Sequence, residues 1–354
     1  MKIALVAGEA SGDLHAANLV KALKMKRDDL SFFGFGGEKM EAEGVRIDKH
    51  YHEMAFMGFV EVLKNLGKIK ANFKALYEIL EVEKPDKIIL IDFPGFNLRV
   101  AKWAKERGIE VVYYVSPQIW AWKKGRVHTI KKVVDKMLCI LPFEKDFYAK
   151  YDYDAHFVGH PLLDAIEDIP YEDNGTVALL PGSRTQEIHK MLPTMLKLAE
   201  QHSDKNFIVV KAPSQSAEMY ESEHWPKNVS LSHSGTAKVL SNSSLAIVTS
   251  GTATLETALY NVPQVVAYKG SAISIWIARL VIKVKYISLV NLILDKPLLK
   301  ELIQDEFTLA TLSKEFELLL TEEKKKEILN GYEELKQKLG NTGASARAAE
   351  LVLS

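Results

Sequence analysis

The chain is poor in several features that would each have fixed a function class. It has one cysteine in 354 residues, Cys139, inside the apolar run Met137-Leu138-Cys139-Ile140-Leu141. A lone thiol cannot close a disulfide within the chain, which fits a reducing compartment. Neither sign of charge prevails, with 46 Lys+Arg against 46 Asp+Glu, so nothing favours a nucleic-acid partner, which usually needs a basic surface. The opening residues Met1 to Gly8 read as a strand running into a glycine. They lack a cleavage site, and no secretory leader is expected. The most apolar stretch, Ala272 to Leu294, carries Arg279, Lys283, Lys285 and Asn291. A charge at mid-bilayer costs roughly 2.5–3.5 kcal/mol, so this stretch is expected to be a helix followed by a loop or strand. Ile273, Ile277, Leu280, Val281 and Val284 would form its apolar face.

Motif absences narrow the field further. There is no Gly-x-Gly-x-x-Gly fingerprint, which argues against NAD, and neither a Walker loop nor a Gly-x-Ser-x-Gly elbow is present. The ten histidines are scattered. His50 and His52 lie two apart, but no carboxylate or cysteine cluster completes a site around them, and no metal is expected. Asp152-Tyr153-Asp154 resembles a metal–diphosphate motif but sits in a Tyr-rich connection, where it reads as a turn.

The sequence does contain a regular alternation of short apolar runs with helical patterns. The runs are Ile3–Ala7, Phe32–Phe35, Lys87–Ile91, Val111–Val115 and Met137–Leu141, then Val177–Leu180, Phe207–Val210, Leu245–Thr249 and Val265–Tyr268. Continuous apolarity marks strands buried on both faces, as in parallel sheets. Helices fit between them, for instance Leu14–Met25 and Phe73–Glu83. The prediction is α/β, with two Rossmann-like doubly wound domains facing a cleft. Residues 1–165 would form the first domain and 166–335 the second. A C-terminal helix in 336–354 would pack back or serve dimerisation. The acidic segment from Leu162 to Gly175 suits a linker. Hydrophobic residues, at 47%, are enough for two cores.

In open α/β sheets ligands bind beyond the carboxyl ends of the strands. There the first βα turn, Gly8-Glu9-Ala10-Ser11-Gly12-Asp13, lets backbone N–H groups approach a ligand. The competing reading is a tight turn capped by Ser11 or Asp13. Asp92 ends a buried strand before Pro94-Gly95, where it could accept a proton or close an Asx-turn onto main chain beyond the proline. Gln118, Trp120 and Trp122 follow the next strand and could line a sugar or acyl site or simply pack. In Leu180-Pro181-Gly182-Ser183-Arg184, a turn at a helix N-terminus offers N–H groups, and Arg184 can fork onto phosphate. Pro193 in the following pattern predicts a kink or early stop. Ser250-Gly251-Thr252 repeats the arrangement, with Glu256 one turn into the helix and suited to ribose hydroxyls. Alternatively, Ser250 or Thr252 caps the helix and Glu256 favours its positive end.

These blocks, in order, resemble the lipid-A-disaccharide synthase family. They are Gly8-Glu9-Ala10-Ser11-Gly12-Asp13, Met57-Gly58 with Glu61-Val62-Leu63, Ile91-Asp92-x-Pro94-x-Phe96-Asn97, Tyr114-Val115-Ser116-Pro117 and Trp120-Ala121-Trp122. They continue with Leu141-Pro142-Phe143-Glu144-Lys145, Leu179 to Arg184, Ser250-Gly251-Thr252-Ala253 and Ser288-Leu289-x-Asn291-Leu292. The resemblance implies a GT-B glycosyltransferase that inverts the anomeric centre and needs no metal or cofactor. It would move 2,3-diacylglucosamine from UDP-2,3-diacylglucosamine to lipid X (2,3-diacylglucosamine 1-phosphate), giving the β(1→6) disaccharide 1-phosphate and UDP.

By position, the resemblance makes Asp92 and Glu9 catalytic, with Asp92 as general base. It assigns Gly182, Ser183, Arg184, Ser250, Gly251, Thr252, Glu256 and Asn291 to UDP, and Ser11, Met57, Asn97, Gln118 and Trp120 to the acceptor side. The chain departs from many relatives at Gly95, where they carry an Asp, and at Val290, where they carry a Pro. The acyl substrates imply peripheral contact with the inner membrane of a Gram-negative cell from the cytoplasmic side. The expected contact surface is Met54 to Val60 with Leu63, Lys64, Leu66, Lys68, Lys70 and Lys74. A homodimer is a further expectation. The alternatives are another UDP-sugar enzyme of the same fold, an epimerase among them, and a non-catalytic nucleotide-sugar or lipid-binding protein.

Overall fold

Among the described residues the nine apolar runs become nine strands, and four more join them. In the computed structural model, which describes residues 1–54, 65–167, 169–213, 215–220, 225–270 and 285–354, strands β1 to β7 are Lys2–Ala7, Ser31–Gly36, Arg46–His50, Lys87–Ile91, Glu110–Tyr114, Lys136–Cys139 and Ala155–Phe157. Strands β8 to β13 are Thr176–Leu180, Phe207–Val210, Val229–Ser232, Ser243–Thr249, Gln264–Tyr268 and Glu301–Ile303. They form two parallel sheets, ordered β3-β2-β1-β4-β5-β6-β7 and β10-β9-β8-β11-β12-β13. The strands without an apolar run are β3, β7, β10 and β13, which are the four edge strands. An edge is half exposed, so it needs no continuous apolar run. β3 and β10 are mostly partly buried or exposed along their length.

The chain divides into two units, one of residues 1–164 with 341–354 and the other of 165–340. The division falls in the acidic connection. The expected boundary at 335/336 lies inside the helix Glu322–Leu339, which Gly340 ends with φ 77°. The last helix, Ala344–Leu353, returns to the first unit. Its Ala348, Ala349 and Val352 join the core beside helix Ala10–Lys26. Asp164 accepts the N–H groups of Gly343 and Ser345 at its start, and Arg347 donates to the Val158 carbonyl. In the first unit helices cover both faces of the sheet, giving one apolar cluster on each side. Cys139 is buried, and burial pushes its thiol pKa well up.

Pro193 does not stop its helix, which runs from Thr185 to Gln201. The proline ring and His189, whose carbonyl loses its intrahelical donor, are both exposed, so water can replace the missing bond. Ile188, Met191, Met195 and Leu198 hold the opposite face in the core. Of the Ala272–Leu294 stretch, 272–284 lie outside the described residues, as does the proposed apolar face of that stretch; Leu289–Leu294 is a helix. Among the described residues, no helix is long and apolar enough to cross a membrane.

Candidate active site

Each sheet reverses its strand order at one place, between β1 and β4 in the first and between β8 and β11 in the second. Such switch points open a crevice at the carboxyl ends of the strands, because the connections leave to opposite sides. Of the five loops singled out from sequence, four follow these four strands and the fifth, with Gln118 and Trp120, follows β5.

In the first unit, Asp92 and Phe93 follow β4 with φ of 44° and 47°, and Val115 follows β5 with φ of 65°. L-residues rarely adopt this left-handed region, a β-branched valine least of all, at a cost of order 1–3 kcal/mol each. Surrounding bonds hold the turn. The Asp92 N–H donates to the Tyr114 carbonyl at 3.0 Å, and the Val115 N–H to Leu138 at 3.1 Å. The Asp92 carbonyl accepts Asn97 Nδ2 at 2.9 Å and the Tyr113 hydroxyl. Gly8 makes room for the result, since a Cβ there would stand 2.4 Å from the Phe93 ring. The Asx-turn alternative is not formed. The N–H groups of Phe96 and Asn97 go to the Phe93 carbonyl instead.

The partly buried Asp92 carboxyl is pushed up to about 6, first by burial and then by the charge of Glu9. Glu9 occupies the N-cap position of helix Ala10–Lys26 without capping it through its side chain. Two carboxylates from neighbouring strand ends therefore share one field. Ser11 is exposed one turn on. Asp13 leaves the loop altogether. It is buried and accepts the N–H groups of Gly37, Lys39 and Met40 at 2.8, 3.0 and 3.2 Å, so it caps the start of helix Glu38–Ala42 rather than its own helix.

Asn97, expected on the acceptor side, is wholly buried. Its Nδ2 ties together the carbonyls of Val6, Ile91 and Asp92. It fixes the strand ends and presents no polar atom to a ligand surface. After β5, Gln118 is exposed, while Trp120 stacks edge-on against Phe143 at 4.9 Å and donates to Glu144 at 3.2 Å. Glu144 is buried, and its carboxyl is raised to about 7 by that burial. Trp122 is 42% exposed, with Lys123 and Arg126 over its ring. Met57 and most of the Met54–Val60 surface, with Leu63 and Lys64, lie outside the described residues.

In the second unit the loop after β8 has its own internal anion. The Glu187 carboxylate accepts the N–H groups of Ser183 and Arg184 at 3.2 and 3.3 Å, and Arg184 Nη1 lies 3.2 Å away. Glu187 thus forms the glutamate half of a capping box, three residues after an Arg184 N-cap that has no acceptor to complete it. Gly182 has φ 114°, and a Cβ there would meet Glu187 Oε2 at 2.6 Å. After β11, Gly251 has φ 147° and starts helix Thr252–Leu259, with Gly251 and Thr252 exposed. The Ser250 hydroxyl is taken by the Ile287 carbonyl at 2.9 Å. Glu256 is partly buried and its carboxyl is raised by that burial.

Asn291 is also buried, and its bonds are internal. Its Nδ2 donates to Leu299 O and Glu301 Oε1, and its Oδ1 accepts the Leu299 N–H. Glu301, which sequence reasoning missed, further gathers the N–H groups of Ile287 and Ser288 at 2.9 and 3.0 Å. Asn291 thus organises the segment whose Ile287 carbonyl holds Ser250.

The expectation that no carboxylate joins His50 and His52 is overturned. Glu38, twelve residues upstream of His50, brings its side chain to theirs, with all three ligating atoms within 4.8 Å of one another.

A family model described as Lipid-A-disaccharide synthetase matches residues 3–353. The lipid-A-disaccharide synthase of Myxococcus xanthus is 42% identical over 99% of this chain and 97% of its own length, and that of Syntrophus aciditrophicus is 40% identical over the same shares. The chain belongs to the lipid-A-disaccharide synthase family. Membership makes it a glycosyltransferase of lipid A biosynthesis, a family that uses a UDP-sugar donor and a lipid acceptor. Among solved structures, the UDP-GlcNAc 2-epimerase of Neisseria meningitidis superposes with TM-score 0.67 at 13% identity, covering both chains completely. The glycosyltransferase of kitacinnamycin superposes with TM-score 0.67 at 14% identity, covering 99% of this chain and 98% of its own. At such identities the likeness is one of fold, the two-sheet α/β architecture.

Proposed function

We propose that the chain transfers 2,3-diacylglucosamine, with inversion, from UDP-2,3-diacylglucosamine to the 6-hydroxyl of lipid X. The products are the β(1→6) disaccharide 1-phosphate and UDP. The observation that carries the residue assignment is Asp92, a strained carboxylate at the switch point with its pKa pushed to about 6. A base of that strength is largely ionised at neutral pH yet takes a proton more readily than an ordinary aspartate, and such a base contributes about 10²–10⁴-fold. Glu9 supports it by raising the carboxyl and holding the negative field.

In the second unit, the helix start at Gly251-Thr252 and the loop Gly182-Ser183-Arg184 receive the UDP diphosphate, with Glu256 near the ribose. The Arg184 side chain is 60% exposed, so it can turn from Glu187 to a phosphate without leaving a buried charge behind. Leaving-group charge is then offset by N–H groups, the helix dipole and Arg184. On the acceptor side, Ser11, Gln118 and Trp120 flank the base, and Met57 is assigned there by family position. The proposal includes peripheral contact with the cytoplasmic face of the inner membrane, supported by the acyl chains of the proposed substrates, and a homodimer.

The test is turnover of UDP-2,3-diacylglucosamine and lipid X in detergent micelles with EDTA present. Wild type should form the disaccharide, and Asp92→Asn should retain UDP binding while losing nearly all turnover. No disaccharide from wild type at any acyl length would overturn the acceptor assignment. A fully active Asp92→Asn would overturn the base.

A further inference from the structure

At the outer edge of the first sheet three metal-ligating side chains meet from three different elements. Glu38 is the first residue of helix Glu38–Ala42, His50 the last of edge strand β3, and His52 sits in the turn Tyr51–Glu53. The pairing of Gly36 with His50 brings the end of β3 beside the start of that helix. The two imidazoles stack at 4.7 Å and 20°, and the Tyr51 ring leans on both, at 4.6 and 4.4 Å. His50 Nε2 is 3.1 Å from Glu38 Oε1. That nitrogen is shut off from solvent, yet makes no hydrogen bond of good geometry. The charges around the group are already engaged: Lys49 pairs with Glu53 at 3.5 Å, and Asp13 is spent on main-chain N–H groups.

We propose that Glu38, His50 and His52 bind a zinc ion, at a site separate from Asp92. Two imidazoles and one carboxylate make a three-ligand zinc set, with bonds of about 2.0–2.2 Å and a fourth position left to water. Glu38 and His52 are exposed, so their torsions can draw the donors in from the present 4.8 Å limit. His50 contributes as a neutral imidazole. Its proton moves from Nε2 to Nδ1, and the one contact given up is the 3.3 Å hydrogen bond that Nδ1 accepts from the His52 N–H. Imidazole donors favour zinc over magnesium or calcium, which prefer oxygen.

Calorimetric titration of the full-length, chelator-stripped chain with zinc chloride and with magnesium chloride tests this. Wild type should take up one zinc ion per chain at this site and no magnesium. Glu38→Gln and His52→Ala should each weaken the zinc on the order of 10–100-fold, with the circular dichroism spectrum and UDP affinity unchanged. Both side chains are exposed, so neither replacement removes core. Cobalt(II) should give the visible absorption of a low-coordinate nitrogen–oxygen site in wild type, and the double variant should lose it. Zinc uptake identical in wild type and the double variant would overturn the proposal, as would no zinc uptake by wild type. Because the readout is metal binding, failure here and failure of the transferase reading are separable.

Discussion

After β4 and β5 of the first sheet the residues in left-handed backbone are Asp92, Phe93 and Val115, whereas after β8 and β11 of the second they are Gly182 and Gly251. The topology is the same and the residue choice is opposite. A glycine adopts positive φ at little steric cost and leaves N–H groups open to an anion. A non-glycine residue there stores strain, held by bonds such as those from Asn97 and Tyr113 to the Asp92 carbonyl. The first unit also concentrates carboxyls raised by burial, Asp92 to about 6 and Glu144 to about 7. The second offers hydroxyls, helix starts and Arg184. On the function proposed above, the first unit moves the proton and the second holds the diphosphate. Each sheet supplies its own switch-point crevice, and the residues at the strand ends decide its chemistry.

The contrast can be broken most severely at Asp92. Asp92→Asn should lower kcat by about 10²–10⁴-fold, measured as initial rates of disaccharide formation. The same change should raise the melting temperature. A carboxyl whose folded pKa is raised from 3.8 to about 6 contributes stability below pH 3.8 and loses it as pH rises through 6. At neutral pH its ionised form costs roughly 1–3 kcal/mol, which asparagine removes. On the glycine side, Gly182→Ala should cost about 1–3 kcal/mol by thermal melting, from the φ of 114° and the 2.6 Å approach to Glu187. UDP affinity, read by calorimetry, should fall with it.

Asn291→Ala should destabilise the second unit by about 1–3 kcal/mol, because it strands the buried Leu299 N–H and carbonyl. Weaker UDP binding should accompany the loss, because the segment carrying Ile287 loosens. The smallest effect is expected at Glu9. Glu9→Gln removes a charge that raises Asp92, so the acid limb of the kcat–pH profile should move to lower pH. A limb that moves up, or stays put, would remove Glu9 from the field around the base.

Nine of the thirteen strands were legible because a strand buried on both faces must be apolar throughout, and Ile3–Ala7 or Lys87–Ile91 leave no other reading. Edge strands such as Arg46–His50 are not under that constraint and give no run to read. Site loops were legible as Gly-, Ser- and Asp-containing breaks directly after buried strands. What such a break does was not. Asp13 and Asn97 stood in the right loops, and both are buried, with the Asp13 carboxylate and the Asn97 Nδ2 bonded to main-chain groups. Glu187 and Glu301 went unnoticed although each gathers N–H groups beside a candidate UDP residue. Glu187 had its place in the first turn of a helix as a clue, where a carboxylate suits the free N–H groups. Glu301 had none, because it meets Ile287 and Ser288 only through the fold.

By itself the sequence determined the two α/β units and the strand-end position of the glycine-, serine- and aspartate-containing loops, because hydrophobic period and local turn chemistry act over a few residues, and its ordered motif blocks carried the resemblance to the family. The tertiary structure alone decided which polar side chains are spent internally and which carboxyls are raised. It also decided that Glu38 meets His50 and His52, and that the last fourteen residues return to the first unit. Those outcomes depend on burial and on contacts between residues far apart in the chain. No local pattern encodes them, since desolvation and pairing exist only once the chain has closed on itself.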